Sequence, residues 1–184
     1  MCVYYKYTKP HNKINYKGDS NMPNTRIYRH YGSNTFDPNY IYCDRGRLKP
    51  SGLYASPQNS KKFLTWKDMI INICKYDEEK WRLETLNKYF DFRVSKDARI
   101  LKIRRITDIK DYIIPDEDEC NDYRIREWDI TEGQLLNLEK LYRDYDAMLL
   151  IHGNNYNELR FSHLFYEWDV DSICVWNLDK VIPL

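Results

Sequence analysis

The sequence has no long apolar run. No segment approaches the roughly 20 consecutive apolar residues that a helix needs to cross a bilayer. Residues 1–17 carry charged and polar side chains where a signal peptide needs an apolar core. The sequence therefore argues against a membrane span and against export, and we expect a cytoplasmic protein that does not act at a membrane.

Cysteine is scarce and is not arranged in pairs. The five cysteines are widely separated, none belongs to a CxxC pair, and the four histidines are not spaced as metal ligands. This pattern argues against a disulfide framework, a structural zinc site or any other metal centre. Cys174 lies in an apolar run, so we expect it to be buried as a small hydrophobic residue.

The chain has almost no net charge. Lys and Arg total 29 and Asp and Glu total 28, which gives +1 and no overall field to attract nucleic acid or an anionic membrane. The phosphate-binding patterns GxGxxG and GxxxxGK[ST] are absent, as are the catalytic patterns HExxH and GxSxG. The common nucleotide-binding and hydrolase classes are therefore not indicated.

A length of 184 residues, 42% apolar, fits one folded domain. Residues 1–25 lack periodicity and are predicted to be an extended leader, with the domain over residues 26–184. Strands are predicted over residues 26–31, 52–57, 89–94, 99–103, 147–152, 172–176 and 180–182.

Two helices are predicted from capping boxes followed by apolar periodicity. Thr65 and Asp68 open one that ends near Lys75, and Thr131 and Gln134 open another that ends at Asp144. Residues 107–114 are predicted as a helix or a loop. Because strands do not alternate strictly with helices, an α+β fold is favoured over a doubly wound parallel sheet.

Three short segments carry the residue types that chemistry uses: residues 28–33 (YRHYGS), 52–56 (GLYAS) and 166–172 (YEWDVDS). Taken alone, each is more typical of a structural role. A histidine at a strand end is commonly hydrogen-bonded within the protein, a strand tyrosine commonly packs in the core, and an acidic cluster is commonly a solvated turn.

Together these segments resemble the ADP-ribosyltransferase superfamily, in the branch that uses His, then Tyr, then an acidic residue. That branch has His-x-Gly-[Ser/Thr] at the end of a strand, a Gly-[Leu/Ile]-Tyr-x-[Ser/Thr] strand, and an acidic residue before the last strands. The KPSGLYASP segment and Trp66 are also similar to phage-encoded proteins of this type. The resemblance implies a split β-sheet core with flanking helices.

The resemblance also implies NAD+ as a substrate and mono-ADP-ribosylation of a protein or nucleic acid, with a protein acceptor preferred. It implies a phage or toxin-type effector, which would act in the host cytoplasm. For the acidic residue that stabilises the reacting ribose it implies Asp171, then Glu167 or Asp169. For NAD+ binding it implies these residues: Arg29, His30, Gly32, Ser33, Gly52, Leu53, Tyr54 and Ser56.

Within that set, the resemblance implies that His30 binds the adenosine-side ribose and Tyr54 stacks on nicotinamide. The Gly52 backbone would meet the nicotinamide amide, and Arg29, Arg45 or Arg47 would contact the pyrophosphate. Alignment on the final strand leaves Ser172 as an alternative at the acidic position, which would favour NAD+ binding without transfer.

Two other functions remain open from the sequence. One is a noncatalytic protein-binding inhibitor on the same fold, which the high Tyr and Trp content favours because these residues are enriched in interfaces. The other is an NAD+-dependent RNA 2′-phosphotransferase, which would need a more basic cleft than the near-neutral charge suggests.

Overall fold

We analysed the protein as a computed structural model. The structure describes residues 26–40, 42, 50–58, 65–76, 81–115, 134–151, 159, 162–165, 168 and 170–184. The predicted leader, residues 1–25, lies outside the described residues.

Within this part of the chain, seven strands form one sheet: β1 (Tyr28–Tyr31), β2 (Leu53–Pro57), β3 (Tyr89–Val94), β4 (Ile100–Ile103), β7 (Ala147–Leu150), β8 (Ser172–Val175) and β9 (Val181–Pro183). Their order in the sheet is β4-β7-β8-β2-β1-β3-β9. The pair β4–β7 is parallel and the other neighbours are antiparallel. A mostly antiparallel sheet with a few helices confirms the α+β prediction.

Helix α1 (Trp66–Tyr76) begins where the sequence predicts. Thr65 accepts a hydrogen bond at Oγ1 from the Asp68 backbone N–H, and the Asp68 carboxylate accepts from the Thr65 backbone N–H, so the capping box is confirmed. A short helix, α2 (Trp81–Thr85), then leads into β3.

The helix predicted over residues 131–144 is wrong over residues 134–136. Residues 131–133 lie outside the described residues, and β6 (Gln134–Leu136) pairs instead with β5 (Ile113–Pro115) in a separate two-stranded sheet. Helix α3 (Leu138–Asp144) starts only after Asn137, whose side chain accepts a hydrogen bond from the Lys140 N–H at 3.0 Å. The leucine spacing fits either structure, and the Asn137 cap together with the β5 pairing places the boundary.

The segment predicted as a helix or a loop is a 3-10 helix, Ile106–Tyr112, that runs directly into β5. Asp108 fixes its start by accepting hydrogen bonds from the backbone N–H groups of Arg104 and Arg105.

Apolar side chains cover both faces of the seven-stranded sheet. One face, here named the His30 face, carries Tyr28, Leu53, Phe90, Phe92 and Ile173. The other, here named the Tyr54 face, carries Tyr54, Leu101, Met148, Trp168 and the fully buried Cys174. It is covered by α3, by the 3-10 helix Ile106–Tyr112 and by a second 3-10 helix, His163–Phe165. Because side chains alternate along a strand, consecutive residues within β1, and likewise within β2, point to opposite faces.

Among the described residues, no helix is long and apolar enough to cross a membrane.

Candidate functional site

Strands β1 and β2 are paired along only part of their length. Their backbone ladder contains Tyr28 opposite Pro57 and Arg29 opposite Ser56. Beyond that point His30 and Tyr31 pair only with β3, while residues 53–55 of β2 pair with β8. The seven-stranded sheet therefore opens beside His30, and we call this place the β1–β2 opening.

His30 occupies the β1–β2 opening. Its Nδ1 lies 2.8 Å from the Tyr54 carbonyl oxygen. A carbonyl oxygen only accepts hydrogen bonds, so Nδ1 carries the hydrogen and the neutral ring presents Nε2 as an acceptor. Burial lowers the pKa of His30, partly offset by this hydrogen bond, so the ring is neutral at pH 7. Among the described residues, none forms a hydrogen bond with Nε2.

Aromatic rings surround the His30 imidazole on its own face. The Tyr42 ring meets it edge-on at a centroid distance of 5.1 Å, and the Phe90 ring lies 5.2 Å away. Phe36 lies parallel to Tyr42 at 6.1 Å. These rings explain the desolvation that lowers the His30 pKa.

The Tyr54 side chain points to the opposite face of the sheet from His30. Its hydroxyl donates to the Pro50 carbonyl at 2.7 Å, and its ring packs edge-on against Trp168 at 5.2 Å. The structure therefore brings His30 to the backbone of Tyr54 but not to its ring. Stacking of nicotinamide on Tyr54 stays a prediction, and it would have to take place on the Tyr54 face.

Arg29 makes a bidentate ion pair within the protein. Its guanidinium donates from Nε and one terminal nitrogen to the two carboxylate oxygens of Asp91, at 2.7 and 2.8 Å. It also lies 3.8 Å from the centre of the Tyr89 ring. Hydrogen bonding to Asp91 raises the pKa of Arg29 above its ordinary value. To contact a pyrophosphate, Arg29 would have to give up or share these partners.

Backbone geometry explains the glycines of the two motifs. A Cβ at Gly52 would lie 2.5 Å from the Val175 carbonyl oxygen, so glycine lets β2 approach β8 closely. Gly32 has a φ of 109°, which disfavours other residues, and its N–H donates to the Lys88 carbonyl. The fold accounts for both glycines without a ligand.

The remaining predicted NAD+-binding residues also have partners in the fold. Ser56 is buried and accepts at Oγ from the Trp66 N–H at 3.0 Å, which anchors the start of α1. Leu53 is fully buried in the core of the His30 face. Ser33 donates to the Thr35 carbonyl at 2.8 Å within the loop after β1.

Of the three acidic candidates, Asp171 is the one within the described residues, whereas Glu167 and Asp169 lie outside them. Asp171 is buried, with 3% of its surface exposed, immediately before β8. The alternative, Ser172, uses its hydroxyl internally: Oγ accepts from the Trp168 indole N–H and donates to the Val170 carbonyl at 3.1 Å.

The strands that carry the three motifs are neighbours. Strand β8, which follows Asp171, lies beside β2, and β2 lies beside β1 with His30. At the ordinary spacing of strands, β8 and β1 are roughly 10 Å apart. The arrangement offers a neutral imidazole acceptor at the β1–β2 opening and a carboxylate two strands away. No group of three metal-ligating side chains occurs in the described part of the chain.

Sequence reasoning missed Tyr42 and Asp91, the partners of His30 and Arg29. Tyr42 is one of 17 tyrosines and carries no distinguishing local pattern. Asp91 lies in the alternating YFDFRV strand, at a position whose side chain points away from Phe90 and Phe92. The alternation places Asp91 on the opposite side of its strand from Phe90 and Phe92, and the β1–β3 register brings it opposite Arg29.

No protein-family model, curated protein or solved structure matches this chain.

Proposed function

We infer that the protein is an NAD+-dependent mono-ADP-ribosyltransferase that binds NAD+ at the β1–β2 opening. The observation that carries the proposal is the placement of His30. Its strand, the Tyr54 strand and the strand preceded by Asp171 are consecutive in the sheet, and the ladder stops beside His30. This opening supports the split-sheet core that the sequence resemblance implies.

The proposed chemistry needs one carboxylate. The nicotinamide of NAD+ is positively charged before its N-glycosidic bond breaks and neutral afterwards, so no general acid is required. The positive charge moves to the ribose, where a fixed carboxylate stabilises the oxocarbenium-like transition state. The acceptor nucleophile then bonds to that ribose carbon and loses its proton. Asp171 is the candidate for the carboxylate.

His30 would bind the other ribose. Because Nδ1–H is held by the Tyr54 carbonyl, Nε2 accepts a hydrogen bond, and a ribose hydroxyl supplies the matching donor. This assigns His30 to binding and positioning of the dinucleotide rather than to proton transfer.

The test is nicotinamide release from NAD+ by the purified chain with a host lysate as a source of acceptors. We expect Asp171→Asn to slow release by about 100-fold or more, the scale on which transition-state charge stabilisation acts. We expect His30→Ala to raise the NAD+ concentration for half-maximal rate by about five- to tenfold, the cost of one hydrogen bond.

Asp179→Asn is the matched control, because Asp179 is an exposed carboxylate between β8 and β9. It should release nicotinamide at the unaltered rate. If the wild-type chain releases no nicotinamide and binds no NAD+ at millimolar concentration, the proposal is overturned.

A noncatalytic protein-binding module is the second candidate, favoured by one observation. Several side chains predicted to contact NAD+ already have partners within the protein: Arg29 with Asp91, Tyr54 with Pro50, and Ser56 with the Trp66 backbone. This candidate predicts that a host protein is captured without NAD+ and that nicotinamide is not released. Capture that requires NAD+ would count against it.

A further inference from the structure

The loop after β1 presents an exposed aromatic ring and a carboxylate in one turn. Tyr40 is 60% exposed, and its N–H donates to the Asp37 carbonyl at 3.2 Å. The Asp37 side chain is exposed and accepts at Oδ1 from the Asn39 N–H at 2.9 Å. We call these residues the Asp37–Tyr40 turn.

The Asp37–Tyr40 turn is joined to the candidate site through Tyr42. The Tyr40 ring packs edge-on against Tyr42 at 5.1 Å, and Tyr42 packs edge-on against His30 at the same distance. The Tyr42 hydroxyl also accepts from the Asp37 N–H at 2.6 Å. These contacts fix the turn beside the β1–β2 opening, where a partner of the reaction would have to approach.

The charge of the loop after β1 indicates which kind of partner it would bind. Asp37 is the only charged residue between Gly32 and Tyr42 in the sequence, so the loop offers a negative charge and no cation for a phosphate backbone. An exposed aromatic ring and an exposed carboxylate in one turn, at positions 40 and 37, are suited to a cationic side chain, which gains a cation–π contact and an ion pair.

The same protein contains this combination internally. The Arg29 guanidinium lies over the Tyr89 ring and pairs with Asp91. On β3, the Tyr89 ring and the part-buried Asp91 carboxylate thus hold a guanidinium in this fold.

We propose that the Asp37–Tyr40 turn is a docking surface for a protein partner that presents arginine, held over the Tyr40 ring and against the Asp37 carboxylate. The inference rests on the proposed function only in regarding this partner as the acceptor of ADP-ribose. The docking surface itself requires no NAD+.

The experiment measures binding of a fluorescein-labelled polyarginine peptide to the full chain by fluorescence anisotropy, without NAD+. Tyr40→Ala and Asp37→Asn should each weaken binding by about two- to fivefold, as expected for exposed cation–π and ion-pair contacts. Both side chains are exposed, so neither change should affect folding, which circular dichroism checks.

The controls remove comparable groups elsewhere. Asp111→Asn neutralises an exposed carboxylate near the end of the 3-10 helix, and Ile182→Ala removes an exposed apolar side chain on β9. Both should bind the peptide as the unaltered chain does. Equal weakening in controls and test variants, or unchanged binding in the test variants, overturns the proposal. So does tighter, Tyr40-dependent binding of a single-stranded DNA oligonucleotide.

The two proposals fail separately. Peptide binding that depends on Tyr40, in a chain that releases no nicotinamide, leaves the docking surface and removes the transferase. Nicotinamide release without Tyr40-dependent peptide binding leaves the transferase and removes the docking surface.

Discussion

The predicted site residues differ in their hydrogen bonding between the two faces of the sheet. On the Tyr54 face, Tyr54, Ser56 and Arg29 each hold one part of the fold to another, through Pro50, the start of α1 and Asp91. On the His30 face, the imidazole uses one nitrogen for the Tyr54 carbonyl, and no described residue bonds to the other. A residue that matches a functional motif can therefore be needed chiefly for stability. The face of the sheet to which its side chain points distinguishes a structural residue from a candidate binding residue.

The largest expected effect comes from Gly52→Ala, which tests the close approach of β2 to β8. The added methyl group would lie 2.5 Å from a backbone oxygen that cannot rotate away. We expect the free energy of unfolding to fall by about 3 kcal/mol, at the upper end for overpacking. Urea denaturation followed by circular dichroism measures it. An unchanged midpoint would mean that the close approach of β2 to β8 does not require glycine at position 52, and a ligand role would become the better explanation.

Local patterns predicted the strands well but could not predict the facing of these residues. The alternating Tyr89–Val94 and the apolar Ala147–Leu150 were placed within about two residues, because burial periodicity is encoded locally. The facing of His30 and Tyr54 depends on register between distant segments, and a shift of one residue reverses every side chain.

The incorrect helix boundary has the same kind of cause. Leu135 fits a helical stripe with Leu138 and Leu141, yet it pairs with Ile114 of β5. That partner strand lies some twenty residues earlier in the chain. Long-range pairing decided the structure where the local pattern fitted both alternatives.

A smaller effect is expected from Tyr54→Phe, which sharpens the comparison of the two faces. The change removes the hydroxyl that donates to the Pro50 carbonyl and keeps the ring against Trp168. We expect a loss of about 1 kcal/mol in stability, the typical worth of one such hydrogen bond. Denaturation midpoint and nicotinamide release should be measured on the same sample. Lost release with full stability would show that the Tyr54 face is functional after all.

The smallest effect concerns the pH dependence of stability and the His30 face. Burial lowers the pKa of folded His30 below its ordinary value of 6.5, so the unfolded chain binds a proton more readily. The stabilisation from neutral His30 is therefore complete above pH 6.5 and is lost as the pH falls through the lowered pKa. Denaturation of the wild type and of His30→Gln should diverge within that window. Parallel curves would contradict the buried, neutral imidazole.

The most direct test is nitrogen NMR of the His30 imidazole, assigned by comparison with His30→Gln, before and after addition of NAD+. The proposed site predicts a neutral ring protonated at Nδ1 in the free protein, and a change in the Nε2 resonance as NAD+ binds. A ring protonated at Nε2, or an Nε2 resonance that stays fixed at millimolar NAD+, would contradict the proposed binding of NAD+ at the β1–β2 opening.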